Sequence, residues 1–273
     1  MEAVCFDVKA PFASFRVPST TRGFLSFPFP PRTTIMGLIG AIMGVPKNEL
    51  YLNDHFLFDA FIAVQVLRDP ITINFRTNQT QTKGEFLYSN PKFGLKLYIP
   101  GKLERGVRSP QTLIILNNVI YRIYLSLNLS EKLDEFVKRI INHKYVYPPY
   151  LGRVNYLASI DFIDRISLKK LNNDNLKVKI DTVCPTDYIN NIQSGQFNII
   201  YNVPMAYNVV KDSKSNEFKI SPRLLADIVY FVEPIDILIK SNSEIYTIIK
   251  SSNSQFNGRC ISFLPSRSKD NKI

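Results

Sequence analysis

The chain has 273 residues, of which 34 are Lys or Arg and 23 are Asp or Glu, and its net charge is +11. A chain of this length buries a substantial core and fits one large domain or two small ones. The positive charge favours an anionic partner such as nucleic acid. Because the excess is spread over both halves of the sequence, we expect a folded basic surface and no dedicated basic tail.

Cysteine use and hydropathy exclude several classes of protein. Cys5, Cys184 and Cys260 are far apart and lack the CxxC spacing of a zinc site, so we predict buried free thiols. No apolar run approaches the ~20 residues needed to cross a bilayer, and the N-terminus lacks the charged and apolar blocks of a signal peptide. We therefore expect a cytoplasmic protein with no membrane contact, no metal and no cofactor.

The first predicted elements follow from hydrophobic periodicity. Residues 3–9 alternate apolar and polar positions and predict a strand with Val4, Phe6 and Val8 on one face. A loop and a helix rich in small residues follow, with Thr33 or Thr34 as the predicted cap. Residues 56–67 predict the next strand. Its inward positions are Phe58, Ala60, Ile62, Val64 and Val66.

A later strand and an amphipathic helix complete the pattern. Residues 119–127 predict a strand, with Tyr121, Ile123, Leu125 and Leu127 inward and Arg122, Tyr124 and Ser126 outward. From Leu129 apolar residues recur at offsets of 4, 7, 8, 11 and 12, which predicts a helix capped by Ser130. The order strand, helix, strand, insertion, strand, helix, strand is what a ferredoxin-like split βαβ unit requires.

The sequence after Gly152 is predicted to be rich in strands. The candidate strands are residues 176–181, 197–210, 218–220 and 260–264, and residues 223–230 are a candidate short helix. We assign residues 1–150 to a main domain with an insertion at about 68–110. Residues 151–273 are then a strand-rich extension packed on the same body.

Residues 16–44, RVPSTTRGFLSFPFPPRTTIMGLIGAIMG, form the first candidate site. Arg16, Arg22 and Arg32 surround a Ser/Thr cluster at the start of a helix. Backbone N–H groups, the positive end of the helix dipole and Thr33 would face the same side as these arginines and form an anion site. Small residues in the helix indicate that another group approaches it closely: Gly37, Gly40, Ala41 and Gly44. The alternative is a Pro-punctuated turn into a core helix, and sequence chemistry alone leaves both open.

The insertion at residues 68–110 combines basic and aromatic side chains. Phosphate contacts together with aromatic platforms are how proteins hold single-stranded RNA. The aromatic residues include Phe86, Tyr88 and Phe93. The candidate phosphate contacts are Lys83, Lys92, Lys96, Arg105 and Arg108. The alternative is a solvated hairpin whose aromatic residues pack on the body and whose lysines only keep it soluble.

Catalytic chemistry has one candidate cluster. Metal-independent RNA cleavage needs a base, an acid and a cation, which His, Tyr and Lys can supply. His143, Lys144 and Tyr145 place these three types together. Because the cluster directly follows the amphipathic helix, it is better explained as complementing the helix dipole, and we expect no catalysis. The sequence has no NTPase, metalloprotease or GxSxG hydrolase motif.

Two separated segments resemble the signature of a known family. The run FASFRVPSTTRGFLSFPFPPRTTIMGLIGAIMG, residues 12–44, is similar to the N-terminal signature of CRISPR-associated protein 5, a RAMP subunit of the type I Cascade complex. YPPYLGRVNYLA, residues 147–158, is similar to the family's proline-rich approach to an LG(R)-type turn and contains Arg153. The chain looks most like type I-B, and types I-A and I-D stay open.

The resemblance implies an α+β, ferredoxin-like and RRM-related fold with an antiparallel sheet and a β-hairpin thumb at residues 68–110. It implies a non-catalytic RNA-binding subunit that grips the 5′ handle of CRISPR RNA in antiviral defence. The expected partners are this RNA, the backbone filament subunit and the large subunit, with target DNA near the PAM as a further candidate.

Two other functions stay open. One is a CRISPR RNA endoribonuclease that uses His143, Lys144 and a Tyr, because a Tyr, Lys and His constellation processes CRISPR RNA in the type I-C branch of the family. The other is a stand-alone RRM-like regulator that binds cellular RNA. RAMP endonucleases often carry a glycine-rich loop near the C-terminus, and this sequence has none, which weighs against cleavage.

Overall fold

The elements below come from a computed structural model, which describes residues 1–18, 23–46, 49–50, 52, 55–80, 88–89, 96–97, 108–211 and 218–266. The helices are α1 (Arg32–Met43) and α2 (Ser130–Ile141), and 3-10 turns cover Thr186–Tyr188 and Ser254–Phe256. The strands are β1 (Glu2–Ala13), β2 (Phe15–Arg16), β3 (Gly23–Phe24), β4 (Ser26–Phe27), β5 (Phe61–Val66), β6 (Ile71–Thr80), β7 (Tyr88–Ser89), β8 (Lys96–Leu97), β9 (Arg108–Ser126), β10 (Ser159–Lys170), β11 (Lys177–Ile180), β12 (Cys184–Pro185), β13 (Ile189–Ser194), β14 (Asn198–Lys211), β15 (Phe218–Tyr230), β16 (Ile235–Ile239), β17 (Ile245–Ser251) and β18 (Cys260–Ser262).

Four strands and two helices form the ferredoxin-like core. β10, β1, β9 and β5 lie side by side in that order, and every neighbouring pair is antiparallel. With α1 between β1 and β5 and α2 between β9 and β10, this is the βαββαβ unit. The predicted α+β, ferredoxin-like fold with an antiparallel sheet is confirmed.

One face of this sheet packs against both helices. Val4, Phe6 and Val8 of β1 lie in the resulting core, as the alternation predicted. The rings of Phe6 and Phe136 of α2 meet edge to face with centroids 5.3 Å apart. The apolar residues of the two helices therefore hold the sheet from one side.

The opposite face of the sheet is buried as well. Tyr124 and Ser126, which the pattern predicted to face outward, are enclosed, and Tyr124 packs in a second core with Phe263. β17 pairs with β10 and β18 pairs with β17. The backbone N–H of Leu264 then donates to the carbonyl of Ile62 in β5 at 2.9 Å, so the sheet curls round until its two sides meet. The outward prediction was wrong because distant strands cover this face.

The insertion forms a hairpin where the structure describes it. β6 pairs with the first half of β9, from Ile71 opposite Asn117 to Thr80 opposite Arg108. β7 and β8 pair with each other farther along the insertion. The predicted hairpin within residues 68–110 is confirmed at these positions.

The C-terminal half extends the main sheet and adds a ribbon. β18, β11, β16 and β13 continue the sheet beyond β17. β14 and β15 form a long antiparallel ribbon whose Val203 and Met205 join the core beside α1. The helix predicted at residues 223–230 is wrong, because these residues belong to β15. Backbone pairing of β15 with β14 outweighs the local preference of these residues for a helix.

Both predicted helix caps are wrong. Pro31 precedes α1 and Leu129 precedes α2, and neither position supplies a side-chain cap. At α1 the N–H groups of Thr34 and Ile35 donate to the carbonyl of Pro31 at 2.9 and 3.2 Å. The proline ring fixes φ near the helical value, so the chain enters the helix at Arg32, before Thr33.

The three cysteines are buried free thiols, as predicted. Burial raises the pKa of Cys5 and of Cys184 to about 12, so both stay protonated and unreactive at neutral pH. Neither helix in the described part of the chain has the length and apolar character to cross a membrane.

Candidate nucleic-acid interface

The two signature segments, far apart in sequence, form the walls of one groove. We call residues 147–158 the YPPY loop and the space between this loop and α1 the α1 groove. The N–H groups of Val146 and Tyr147 donate to the carbonyls of Ile42 at 3.3 Å and Ala41 at 3.0 Å. Carbonyls in the last turn of a helix have no partner within the helix, so these bonds satisfy the end of α1 and fix the start of the loop beside it.

The YPPY loop is also held against the end of β1. The N–H of Ser14 donates to the carbonyl of Leu151 at 3.2 Å. Gly152 has φ +87, and a Cβ built on it would lie 1.7 Å from the carbonyl oxygen of Ser14. A side chain cannot fit there, which explains the Leu-Gly pair of the motif in physical terms.

The α1 groove has two parts that share Gly37, Ala41 and Tyr150. The polar part, about 220 Å³, lies at the N-terminal half of α1 and is also lined by Thr33, Thr34, Leu38 and Gly152. The apolar part, about 550 Å³, is also lined by Val45, Pro46, Leu50, Tyr147, Pro148, Val154 and Leu157. The volume of the apolar part is in the range of ~300–1,000 Å³ that small-molecule sites usually have.

Arg32 does not contribute to this surface, and the prediction that it binds RNA is wrong. Its side chain is 0% exposed. The guanidinium donates to the carbonyls of Phe58 (2.6 Å), Ala60 (2.9 Å) and Met205 (3.2 Å). Burial lowers its pKa to about 10, against a smaller opposing effect of Asp59, so it is charged at neutral pH. Arg32 therefore ties the start of α1 to β14 and to the turn before β5.

The structure brings some predicted site residues together and leaves others apart. Thr33 is buried and lines the polar part of the α1 groove, and Arg153 is half-buried in the YPPY loop. Arg16 is exposed at the end of β2. Lys96 and Arg108 lie in β8 and β9. The remaining predicted residues lie outside the described part of the chain: Arg22, Lys83, Lys92 and Arg105.

The sequence reasoning missed two tyrosines as site residues. Tyr147 and Tyr150 line the apolar part of the α1 groove, and their side chains are 57% and 41% exposed. They flank Pro148 and Pro149. Two consecutive prolines disfavour helix and central strand, so the flanking aromatic residues belong to a loop and not to the repeating pattern of a core. That was the available signal.

His143 and Tyr145 do meet, at the end of α2. His143 Nδ1 and the Tyr145 hydroxyl are 3.1 Å apart. His143 has φ +51, and its N–H donates to the carbonyl of Ile140, while the N–H of Lys144 donates to the carbonyl of Arg139. These bonds, with one residue in the left-handed conformation, are a common way in which an α-helix ends at its C-terminus. Burial, with a contribution from Asp161, raises the pKa of Tyr145, so its hydroxyl stays protonated at neutral pH.

Both walls of the α1 groove fall inside one family match. The model for CRISPR-associated protein (Cas_Cas5) matches residues 3–187 of the 273-residue chain. This chain belongs to the Cas5 family of CRISPR-associated proteins. The match covers the ferredoxin-like core, the hairpin insertion and the YPPY loop, and it does not distinguish the subtype, so type I-B stays a prediction. The comparison with curated proteins gave no match.

Solved structures with a similar course of the chain include proteins of CRISPR systems. A CRISPR RNA-guided surveillance complex has a chain that is 12% identical, with 86% of this chain and 91% of that chain covered at a TM-score of 0.47. A CRISPR protein from Archaeoglobus fulgidus is 11% identical, with 97% and 100% covered at a TM-score of 0.46. The family assignment rests on the sequence model and not on these neighbours.

Proposed function

We propose that this protein is the RNA-binding backbone subunit of a type I CRISPR Cascade complex, where it grips the 5′ handle of the CRISPR RNA and caps the filament. Within this proposal its partners are the backbone filament subunit and the large subunit, with target DNA near the PAM as a further contact. The proposed location is the cytoplasm.

The observation that carries the proposal is the meeting of the two signature segments in the α1 groove. Their residues are more than a hundred positions apart, yet main-chain bonds from Val146 and Tyr147 to α1 and from Ser14 to Leu151 hold them in one fixed arrangement. A preformed groove with half-exposed tyrosines, on a chain of net charge +11, fits single-stranded RNA. The hairpin formed by β6 and β9 is the proposed thumb, and its presence supports the same function.

Purification in two forms tests this function. The protein is expressed alone and together with the Cascade subunits encoded beside it, and the RNA that co-purifies is sequenced. We expect CRISPR RNA with an intact 5′ handle together with the partner subunits. Binding of the protein alone to handle RNA is then compared with binding to a scrambled RNA of the same length and composition. Heterogeneous cellular RNA without partner subunits would instead favour a stand-alone RNA-binding regulator.

We further propose that the protein binds this RNA without cutting it, and His143 gives a matched test. His143→Gly and His143→Ala both remove the imidazole, but only Gly relieves the left-handed φ of +51. We expect His143→Gly to be about 1 kcal/mol more stable than His143→Ala, because Gly pays no Cβ penalty there. Stability is measured by urea unfolding, and both variants should leave the RNA maturation pattern in cells unchanged.

The opposite result is equally clear. Site-specific cleavage of repeat RNA by the purified protein, lost in both His143 variants, would make the protein an endoribonuclease that uses the adjacent His143 and Tyr145. The difference in unfolding free energy between the two variants would still measure the role of His143 in ending α2. The structural and the catalytic role of His143 are therefore measured separately.

A further inference from the structure

The α1 groove joins two chemically different spaces along one helix. Thr33 and Thr34 line the polar space at the amino end of α1, where the helix dipole is positive. Val154 and Leu157 line the apolar space, and both remain more than half exposed to solvent. Large exposed apolar side chains grouped around a concave surface mark a binding site more often than a free surface. Tyr150 borders both spaces.

The floor of the groove is open at Gly37. A Cβ built on Gly40, one turn later, would lie 2.5 Å from the Leu50 side chain, so packing explains that glycine. A Cβ built on Gly37 would meet no atom of the described residues within 4 Å. Glycine inside a helix lowers helix stability relative to alanine, and here no contact in the described part of the protein compensates for it. Gly37 therefore leaves space directly over the helix backbone.

The walls of the groove are formed before any ligand arrives. Main-chain bonds at Ile42 and Ala41 fix the YPPY loop to α1, and the bond between Ser14 and Leu151 fixes it to β1. Within the loop, the N–H of Leu151 donates to the carbonyl of Tyr156 at 2.9 Å. A preformed site loses less entropy on binding than one that must be ordered.

We infer that the apolar part of the α1 groove binds one unstacked nucleobase of the bound RNA, packed over Gly37 against Tyr150, while the adjoining phosphate lies at the polar part. This inference rests on the proposed function and assigns it a base-binding subsite. A base has apolar faces and a polar edge and is joined to an anion, so it matches both spaces and the net charge of +11. An apolar segment of a partner protein would fill only the apolar space and would bring no anion to the other.

A groove-filling series tests the subsite in the full-length protein with synthetic handle RNA. Gly37→Leu places a side chain in the open space, and Gly37→Ala is the matched control that adds one methyl group. We expect Gly37→Ala to keep most of the affinity and Gly37→Leu to lose about 10- to 100-fold, the range of one stacked base. Tyr150→Phe should keep the affinity because the ring remains, and Tyr150→Ala should lose it.

The same RNA is then scanned with a single abasic nucleotide at each handle position. One position should weaken binding to the wild-type protein by the same factor and should have little further effect on Gly37→Leu, because the two changes remove one shared contact. Circular dichroism and urea unfolding confirm the fold. If Gly37→Leu does not fold, Tyr150→Ala, a change at an exposed side chain, takes its place in the scan.

Each outcome assigns the groove differently. Tight RNA binding by Gly37→Leu together with a flat abasic scan would overturn the base subsite and leave the proposed function intact. Normal RNA binding with loss of a partner subunit in co-purification would overturn it in favour of a protein segment. Failure of the wild-type protein to prefer handle RNA over scrambled RNA would overturn the proposed function itself.

Discussion

Arg32 is a fully buried cation whose partners are main-chain carbonyls. Three carbonyl oxygens accept its hydrogen bonds, the Met36 sulfur lies 3.1 Å from one terminal nitrogen, and Nε has no partner among the described residues. Burying a charge costs free energy unless its donors are satisfied. The three carbonyl acceptors therefore offset part of the cost of burying this guanidinium. Its bonds join α1, the turn before β5 and β14, and they fix the helix that forms one wall of the α1 groove.

We predict that Arg32→Ala lowers the free energy of unfolding by at least ~2 kcal/mol, because it leaves a cavity and removes hydrogen bonds made by a charged group. Arg16→Ala is the matched control at an exposed arginine and should change stability by less than about 0.5 kcal/mol. Urea unfolding measures both. If the two variants are equally stable, the bonds of Arg32 do not hold the fold together.

In RNA binding we expect the opposite pattern: a change at Arg16 should alter binding, and a change at Arg32 should not. Arg32→Ala removes a charge that is 0% exposed and touches no RNA, so the folded variant should keep the salt dependence of handle binding. Arg16→Ala should reduce the slope of log affinity against log salt by roughly 0.7 if Arg16 contacts one phosphate of single-stranded RNA. A slope reduced by roughly 0.7 in Arg32→Ala would instead restore Arg32 as a phosphate contact.

At the scale of elements, the YPPY loop depends on one glycine. Gly152 and Gly258 have nearly equal positive φ, +87 and +82, but a Cβ on Gly152 would clash with Ser14 while a Cβ on Gly258 would meet nothing described within 4 Å. Gly258→Ala therefore measures backbone strain alone, about 1–2 kcal/mol. We predict that Gly152→Ala costs more than this and weakens handle binding, because the loop must move away from β1 and α1.

Unfolding experiments and handle-RNA titrations on the two alanine variants measure this difference. Gly258→Ala should bind handle RNA as the wild type does, since it lies next to β18 and far from the loop in sequence. Equal stability and equal affinity of the two variants would mean that the approach of Gly152 to Ser14 does not set the position of the loop.

The sequence predicts an element well when its pattern is local. β1, β5 and α2 follow from alternation or from helical spacing, and most of their inward residues lie in the core. Leu129 and Ile141, at the two ends of the helical pattern, are instead 53% and 55% exposed. Tyr124 was misplaced because its cover comes from strands more than a hundred residues later, which no local period encodes. Residues 223–230 fit helical spacing, yet the ladder with β14 decides their structure.

The candidate site was predictable only in part for the same reason. The motif residues from Arg16 to Gly44 mark a helix start with an excess of positive charge, but nothing local indicates that Arg32 turns inward. Its acceptors Phe58, Ala60 and Met205 are 26, 28 and 173 residues away in sequence. The groove forms because Val146 and Tyr147 bond to the last turn of α1 and Ser14 bonds to Leu151, contacts between residues about a hundred or more positions apart.

At the scale of the whole molecule, β9 connects the proposed thumb to the body. Its first half pairs with β6 in the hairpin, and its second half lies between β1 and β5 in the core sheet. A single strand of 19 residues therefore runs through both parts. RNA bound by the hairpin would therefore be held directly on the core sheet, because the hairpin is not a separate domain.

We predict that the hairpin supplies mainly sequence-independent attraction through phosphate contacts. The test variant replaces Lys83, Lys92 and Lys96 with Ala. The control replaces Lys138, Lys177 and Lys250, which are exposed on α2, β11 and β17. Both variants lower the net charge from +11 to +8. Each lost phosphate contact should reduce the salt slope by roughly 0.7, so the hairpin variant should lose about 2 and the control little.

Aromatic replacements in the hairpin complete the argument. Phe86, Tyr88 and Phe93 changed singly to Ala should lower affinity without changing the salt slope, because stacking releases no counterions. Handle-RNA binding is measured across a salt series, with circular dichroism as the check of folding. Equal slopes for the two lysine variants would mean that net charge, and not the position of the hairpin, governs RNA attraction. If slope and affinity are both unchanged in the hairpin variants, the hairpin contacts a neighbouring protein subunit and not the RNA.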